Sequence, residues 1–329
     1  MTEKNPRRLG NQKAPTPRSA SAARRYQRSH RQKSSRKGWL AVGIVVVVAA
    51  ALVVVKFVAF SGTSANSATS GRNPSPASAL VVSVMSRISV VTYNSVGTGG
   101  QADPFVETAN QPILTENGLP RMVYVGAEDC PYCALERWAL VAALARFGTF
   151  TGLKQTSSSA DVAPIPTFSF LGSDYKSKYI VFSPYETYDR NFKPLQAIPK
   201  NVARLYKTYD GTSSTPAKFN LGSSSGFPFL DIANQHVLSG VPLFLAPSTT
   251  EPPMSALAGG GPGMFGIAKS IADPTSVVGQ AIDAKAFIID ANFITAEICR
   301  SDGNKPSSVC GTSGIKAAEK VIAVAKRLS

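Results

Sequence analysis

The chain has 329 residues, 43% of them apolar, with 35 Lys or Arg against 20 Asp or Glu for a net charge of +15. The charge is unevenly placed: residues 1–37 hold twelve of the basic residues and one acid, Glu3, leaving 23 basic and 19 acidic residues in the remainder. The basic character is therefore the tail's, and nucleic-acid binding by the folded part is excluded as a reading. No Walker A run and no GxGxxG following a strand is present, and no internal repeat.

Residues 1–37 are rich in Ser, Arg, Pro and Gln without apolar periodicity, which predicts a disordered basic tail. Residues 38–60 follow, with Lys56 as their one charge and Trp39 near the start. At 1.5 Å per residue a run of this length crosses a hydrocarbon layer of about 30 Å, so one transmembrane helix is expected. The preceding basic residues place the tail in the cytoplasm and everything after Phe60 outside, by the positive-inside rule. A cleaved signal peptide is the competing reading, disfavoured because both the charged region and the apolar run exceed the usual lengths. Either way the rest of the chain is exported, where thiols can remain oxidised. Residues 61–79 read as a Ser/Gly/Pro-rich linker, and residues 80–329 as one extracytoplasmic α/β domain with insertions.

That domain opens with short apolar pieces at 80–85 and 88–93 and a Gly-rich stretch at 96–100. Residues 121–126 (RMVYVG) form a predicted strand leading through Glu128 and Asp129 into Cys130-Pro131-Tyr132-Cys133. A helix is predicted from Pro131 to Phe147, ended by Gly148, with Trp138 in the core. A Cys-x-x-Cys at a helix start puts its first sulfur beside free N–H groups and the positive end of the helix dipole, which stabilises thiolate. Cys130 is then the nucleophile of thiol–disulfide exchange and Cys133 the resolving thiol. Two other readings of this pair are half of a zinc site and a permanent structural bridge. Zinc is disfavoured because Cys299, Cys310, His30 and His236 lack paired spacing. Glu128 and Asp129 are expected to be solvated loop acids near the helix cap.

Further along, 167–171 and 179–182 are expected to pair as a hairpin around Gly172-Ser173-Asp174, and a polar segment spans 206–226. Phe227 to Ile232 is an apolar strand with Pro228 at its start; Asp231 within it is expected at a strand edge or turn. Residues 246–266 read as a Pro/Gly-rich loop whose Met254, Met264 and Phe265 tuck onto the domain or form a docking lip. One helical stripe, Val278, Ile282, Ile289, Phe293 and Ile298, begins after Asp273-Pro274 and closes at Cys299. A last helix is expected from about 313 to 326, with a structural Cys299–Cys310 disulfide clamping the helical pair.

The order of a strand, Cys-Pro-Tyr-Cys at a helix start and a distant Gly226-Phe227-Pro228-Phe229 strand resembles the thioredoxin-like fold. More closely, VGAEDCPYCALERWALVAALARFGTF with the FPFLDIAN segment and the upstream apolar span resembles the family catalogued as domain of unknown function 929. The thioredoxin resemblance implies that Pro228 is the cis-proline packed against the redox pair. It makes Cys130, Cys133 and Pro228 the catalytic residues, with Phe227, Pro131 and Tyr132 as binding residues. Tyr124 stands where thioredoxins place a buried acid. The activity expected is a membrane-tethered thiol–disulfide oxidoreductase with no cofactor and no metal, acting on exported protein thiols or disulfides and recharged by a membrane redox partner. The alternative is a non-catalytic envelope scaffold with structural disulfides.

Overall fold

The computed structural model describes residues 74–108, 110–160, 163–210 and 226–328. The basic tail, the apolar span at 38–60, the linker up to residue 73 and most of the polar segment 206–226 lie outside them. The strands are β1 Ser75–Pro76, β2 Val106–Glu107, β3 Thr115–Glu116, β4 Leu119–Gly126, β5 Gly148–Thr151, β6 Lys154–Ser157, β7 Pro166–Ser169, β8 Asp174–Ser177, β9 Val181–Glu186, β10 Phe229–Ile232 and β11 His236–Ser239. The helices are α1 Ala79–Ser86, α2 Val90–Val96, α3 Pro131–Leu144, α4 Lys200–Asp210, α5 Met254–Leu257, α6 Gly263–Ala272, α7 Val277–Ala281, α8 Lys285–Ser301, α9 Ser307–Cys310 and α10 Ser313–Leu328.

Side chains on β4 alternate between two cores, as the period of a strand requires. Met122 and Tyr124 face the larger one, with Leu135, Trp138 and Leu144 of α3 and Phe287, Phe293 and Ile294 of α8. Val123 and Val125 face the smaller one, with Val202 and Tyr209 of α4 and Phe229 and Val237 of the sheet. A strand buried on both sides reads as a continuous apolar run, which is why 122–125 carries no polar alternation. The sheet runs β9-β4-β10-β11-β2, with β9 parallel to β4 and β10 and β11 antiparallel, and β3 pairing the first residues of β4. The result is a mixed α/β fold with helices on both faces of the sheet.

The expected hairpin at 167–171 and 179–182 is not formed. β7 pairs with β6, β9 pairs with β4, and the intervening Asp174–Ser177 makes its own two-stranded ribbon with β5. The backbone groups are satisfied by distant partners, which a local reading cannot see. Ser75 and Pro76, within the span read as linker, pair with Gln155 and Lys154. The apolar pieces at the start of the domain are helices, and among the described residues no single helix is long and apolar enough to cross a membrane.

The single helix expected after Asp273 is two, α7 and α8, because Asp283 takes a left-handed φ of 47° and turns the chain between them. The stretch 246–266 is not structureless either: Met254 and Leu257 are buried, and the apolar contact they make supports α5 and the start of α6. Asp231 is neither at an edge nor in a turn. It lies in β10, which is flanked on both sides, and is fully buried with Oδ1 accepting from the Asn234 N–H at 2.7 Å.

α8 is the spine of the larger core. Its Asn292 Nδ2 donates to the carbonyls of Tyr93 and Gly97 at 2.9 and 2.8 Å, and the Tyr93 hydroxyl donates to the Ala142 carbonyl at 2.9 Å, so α2 is bonded to both α8 and α3. Gly314 is required by this packing, since a Cβ there would lie 2.7 Å from the Tyr93 carbonyl oxygen. The Cys299–Cys310 disulfide is present, joining the end of α8 to α9.

Glu136 of α3 and Asp290 of α8 are both fully buried and share a hydrogen bond, with no further hydrogen-bond partner. Burial pushes Asp290 up to about 7 and Glu136 well above the usual carboxylate range, so the pair holds a proton that the unfolded chain would release. Between the unfolded and folded values the native state binds more protons, and its stability falls as pH rises. We expect Asp290→Asn to reduce the loss of stability between pH 5 and 8 by about 2–4 kcal/mol, read from denaturant midpoints at both pH values. Separately, replacing Cys299 and Cys310 by Ala should lower the unfolding free energy by about 2–3 kcal/mol, given the 11-residue separation.

Candidate active site

β4 delivers the chain into the site. A Cβ at Gly126 would fall 2.1 Å from the Tyr124 hydroxyl, so only glycine lets that ring fold back beneath the turn. The turn closes through the Cys130 N–H to the Ala127 carbonyl at 3.3 Å. Cys130 then caps α3 in an extended conformation, its Sγ accepting the Cys133 N–H at 3.2 Å, while Pro131 occupies the first helical position. The sulfur has thus taken the role an N-cap oxygen usually plays. Tyr132 projects outward and is 40% exposed, whereas Cys133 is fully buried.

The start of β10 meets the dithiol from the other side. The Cys130 thiol lies 3.6 Å from the Phe227 carbonyl, to which it donates, and the Phe227–Pro228 peptide is cis. Cys130, Cys133, Pro131, Tyr132, Phe227 and Pro228 are thereby brought to one place. Cys130 and Cys133 are free thiols. Among the described residues no group of three or more His, Cys, Asp or Glu is arranged to hold a metal ion.

The two thiols differ sharply. The Cys130 thiol is lowered, first by the hydrogen bond from the Cys133 side chain, against the opposing effect of burial, and further by the Cys133 N–H and the Arg137 charge. The Cys133 thiol is pushed well up, chiefly by burial and then by the neighbouring Cys130. Cys130 is therefore the more acidic thiol, suited to attack, and Cys133 the less acidic one.

Behind them sits an ion pair. Arg137 and Glu186 are fully buried and joined by two bonds, Nε to Oε1 at 3.0 Å and Nη2 to Oε2 at 2.6 Å. Nη2 also donates to the Ala127 carbonyl at 2.7 Å, and Glu186 Oε1 accepts from the Phe170 N–H at 3.2 Å. Glu128 is not the solvated acid expected from its place before the helix. It is fully buried, Oε1 accepts from the Ser169 hydroxyl at 2.5 Å, and burial raises its carboxyl. Asp129 is half-buried and likewise raised by burial.

The motif alone does not point to Arg137, Glu186 or Ser169 as site residues. For Arg137 a signal existed: it stands seven residues after Cys130, on the same helical face, and with Glu136 it interrupts an otherwise apolar helix. No local signal could have tied Glu186 or Ser169 to it.

A family model described as Domain of unknown function (DUF929) matches residues 104–299, a span that includes β4, the dithiol, Pro228 and α8 up to Cys299. No curated protein and no solved structure matches the chain.

The asymmetry has a chemical readout. In the folded, reduced protein iodoacetamide should alkylate Cys130 with a rate that rises through a midpoint below the ordinary value of about 8.5, while Cys133 reacts only after unfolding. Mass spectrometry of the modified tryptic peptides, run across pH 5–9, separates the two.

Proposed function

Because the chain belongs to the family of Domain of unknown function (DUF929) and carries an unequal pair of thiols at a helix start, we propose that it is a thiol–disulfide oxidoreductase. The observation that carries this reading is the site's division of labour: a half-buried Cys130 with a lowered thiol, next to a buried Cys133 with a raised one. A permanent structural bridge has no use for such a difference.

In the proposed cycle the Cys130 thiolate attacks one sulfur of a substrate disulfide. A bond forms between Cys130 and that sulfur, and the other sulfur leaves as thiolate. Cys133 then loses its proton and attacks Cys130 Sγ, which closes the Cys130–Cys133 disulfide and releases the reduced substrate. Run backwards, the same steps oxidise a substrate dithiol. The Phe227 carbonyl, 3.6 Å from Cys130 Sγ, marks where a substrate backbone next to its cysteine would run.

The thioredoxin-like reading of the fold is supported by the strand order β9-β4-β10-β11, with one parallel and two antiparallel pairings. It is supported also by the dithiol helix directly after β4 and by Pro228 directly before β10. For the setting of the reaction, the apolar span at 38–60 supports a membrane tether with the domain on the exported side, where substrates are protein thiols or disulfides. A redox partner in the membrane would recharge the pair.

Two measurements test this. The reduction potential of the Cys130–Cys133 pair, from equilibration with glutathione or dithiothreitol buffers, should fall between about −270 and −120 mV, whereas a value below about −300 mV would leave only a structural bridge. In cells, Cys133→Ser should accumulate mixed disulfides that Cys130→Ser and the double variant lack; equal capture by all three would count against exchange.

A further inference from the structure

The site's one buried cation has no place in the cycle as described so far, yet its surroundings are more elaborate than packing needs. Arg137 lies on α3 four residues past Cys133, so it sits one turn below that thiol on the same face. Two of its three nitrogens are committed: Nε and Nη2 hold Glu186, and Nη2 also holds the Ala127 carbonyl. The same carbonyl receives the Cys130 N–H. Nη1 is buried with no hydrogen-bond partner. A guanidinium nitrogen left unpaired in a dry interior is a standing cost, unless a negative charge arrives beside it at some stage. In the exchange cycle a negative charge forms one helical turn away: the Cys133 thiolate, on a sulfur fully buried from water.

We propose that Arg137 is the positioning residue of the dithiol, which fixes the Ala127–Cys130 turn through the shared carbonyl and supplies the positive charge that stabilises the Cys133 thiolate as a mixed disulfide is resolved. This rests on the exchange reading above. In the step concerned, the Cys133 thiol's proton ends on the departing substrate sulfur, and the Cys133 sulfur's electron pair forms the bond to Cys130 Sγ. The bond between Cys130 and the substrate sulfur breaks, and the substrate thiolate leaves and is protonated. The protein pair has lost two electrons and the substrate has gained them. Arg137 itself exchanges no proton; its charge lowers both thiols against the larger effect of burial on Cys133.

Glu186 holds the cation in place and keeps the interior neutral overall, so removing Arg137 alone would strand a buried carboxylate and risks unfolding. The test therefore uses the full chain in detergent with two variants: Arg137→Gln combined with Glu186→Gln, an uncharged pair that can still hydrogen-bond, and Arg137→Lys, which keeps the charge. Unfolding midpoints establish that each is folded. Thiolate absorbance at 240 nm, followed against pH in the reduced protein, reports the titration of the pair, and the rate at which a glutathione adduct on Cys130 is resolved reports the step.

In the double-Gln variant the upper titration midpoint should rise by roughly 1–3 pH units, and resolution at pH 7 should slow at least about tenfold. Arg137→Lys should retain most of the wild-type midpoint. A folded double-Gln variant whose midpoint and resolution rate match wild type overturns the proposal while leaving exchange intact. A wild-type protein that forms and resolves no glutathione adduct overturns the exchange reading, and this role with it.

Discussion

The fold around the dithiol is organised by the buried contact between Arg137 and Glu186. Moving a guanidinium and a carboxylate out of water is expensive, and the cost is recovered only where geometry is tight and the remaining polar atoms are bonded. That requirement fixes α3 against the end of β9, because a rotation of the helix by one residue would strand both charges. It reaches further through the ligands the pair shares. The Ala127 carbonyl ties in the turn after β4, the Phe170 N–H ties in the residue after β7, and the Gln196 side chain accepts the Glu186 N–H at 2.7 Å. The two side chains thus hold α3, the end of β9, the turn after β4 and the residue after β7, with Gln196 bound through the Glu186 backbone, and the sulfur atoms inherit their placement from them.

Charge is handled differently on the two sides of α3. Arg137 is bonded to a carboxylate, whereas its neighbour Glu136, about 100° round the helix, faces Asp290 in a pair of acids raised by burial, with no counter-ion between them. Glu128 follows the second pattern, with a hydroxyl for company. A low dielectric penalises any net charge, and burial is the largest cause raising the carboxyls of Glu128, Glu136 and Asp290.

What could be read from the sequence was what depends on neighbours along the chain. β4, the helix start at Pro131, the Cys299–Cys310 bridge and the final helix all rest on short-range signals. α4 was also legible in principle, since Val202, Leu205, Tyr206 and Tyr209 stand at helical spacing on one face, but its polar composition drew it into the neighbouring loop. The errors share a cause. The partners of β7 and β9, the burial of Asp231 and the bond from Ser169 to Glu128 are all set by residues distant in sequence, and the rule that acids before a helix stay solvated yields once such a partner is present.

The central strand has one further consequence, in the order of synthesis. β4 is complete by Gly126, yet its parallel partner ends at Glu186 and its antiparallel partner at Ile232, so the middle of the sheet closes only when most of the chain has emerged. Contacts of such high order are slow to form. The four cysteines, by contrast, arrive as two close pairs, Cys130 with Cys133 and much later Cys299 with Cys310. Cys130 and Cys133 therefore have each other at high effective concentration long before a wrong partner emerges, and Cys299 has Cys310 only eleven residues away, so the spacing of the cysteines itself favours correct pairing while the sheet closes slowly.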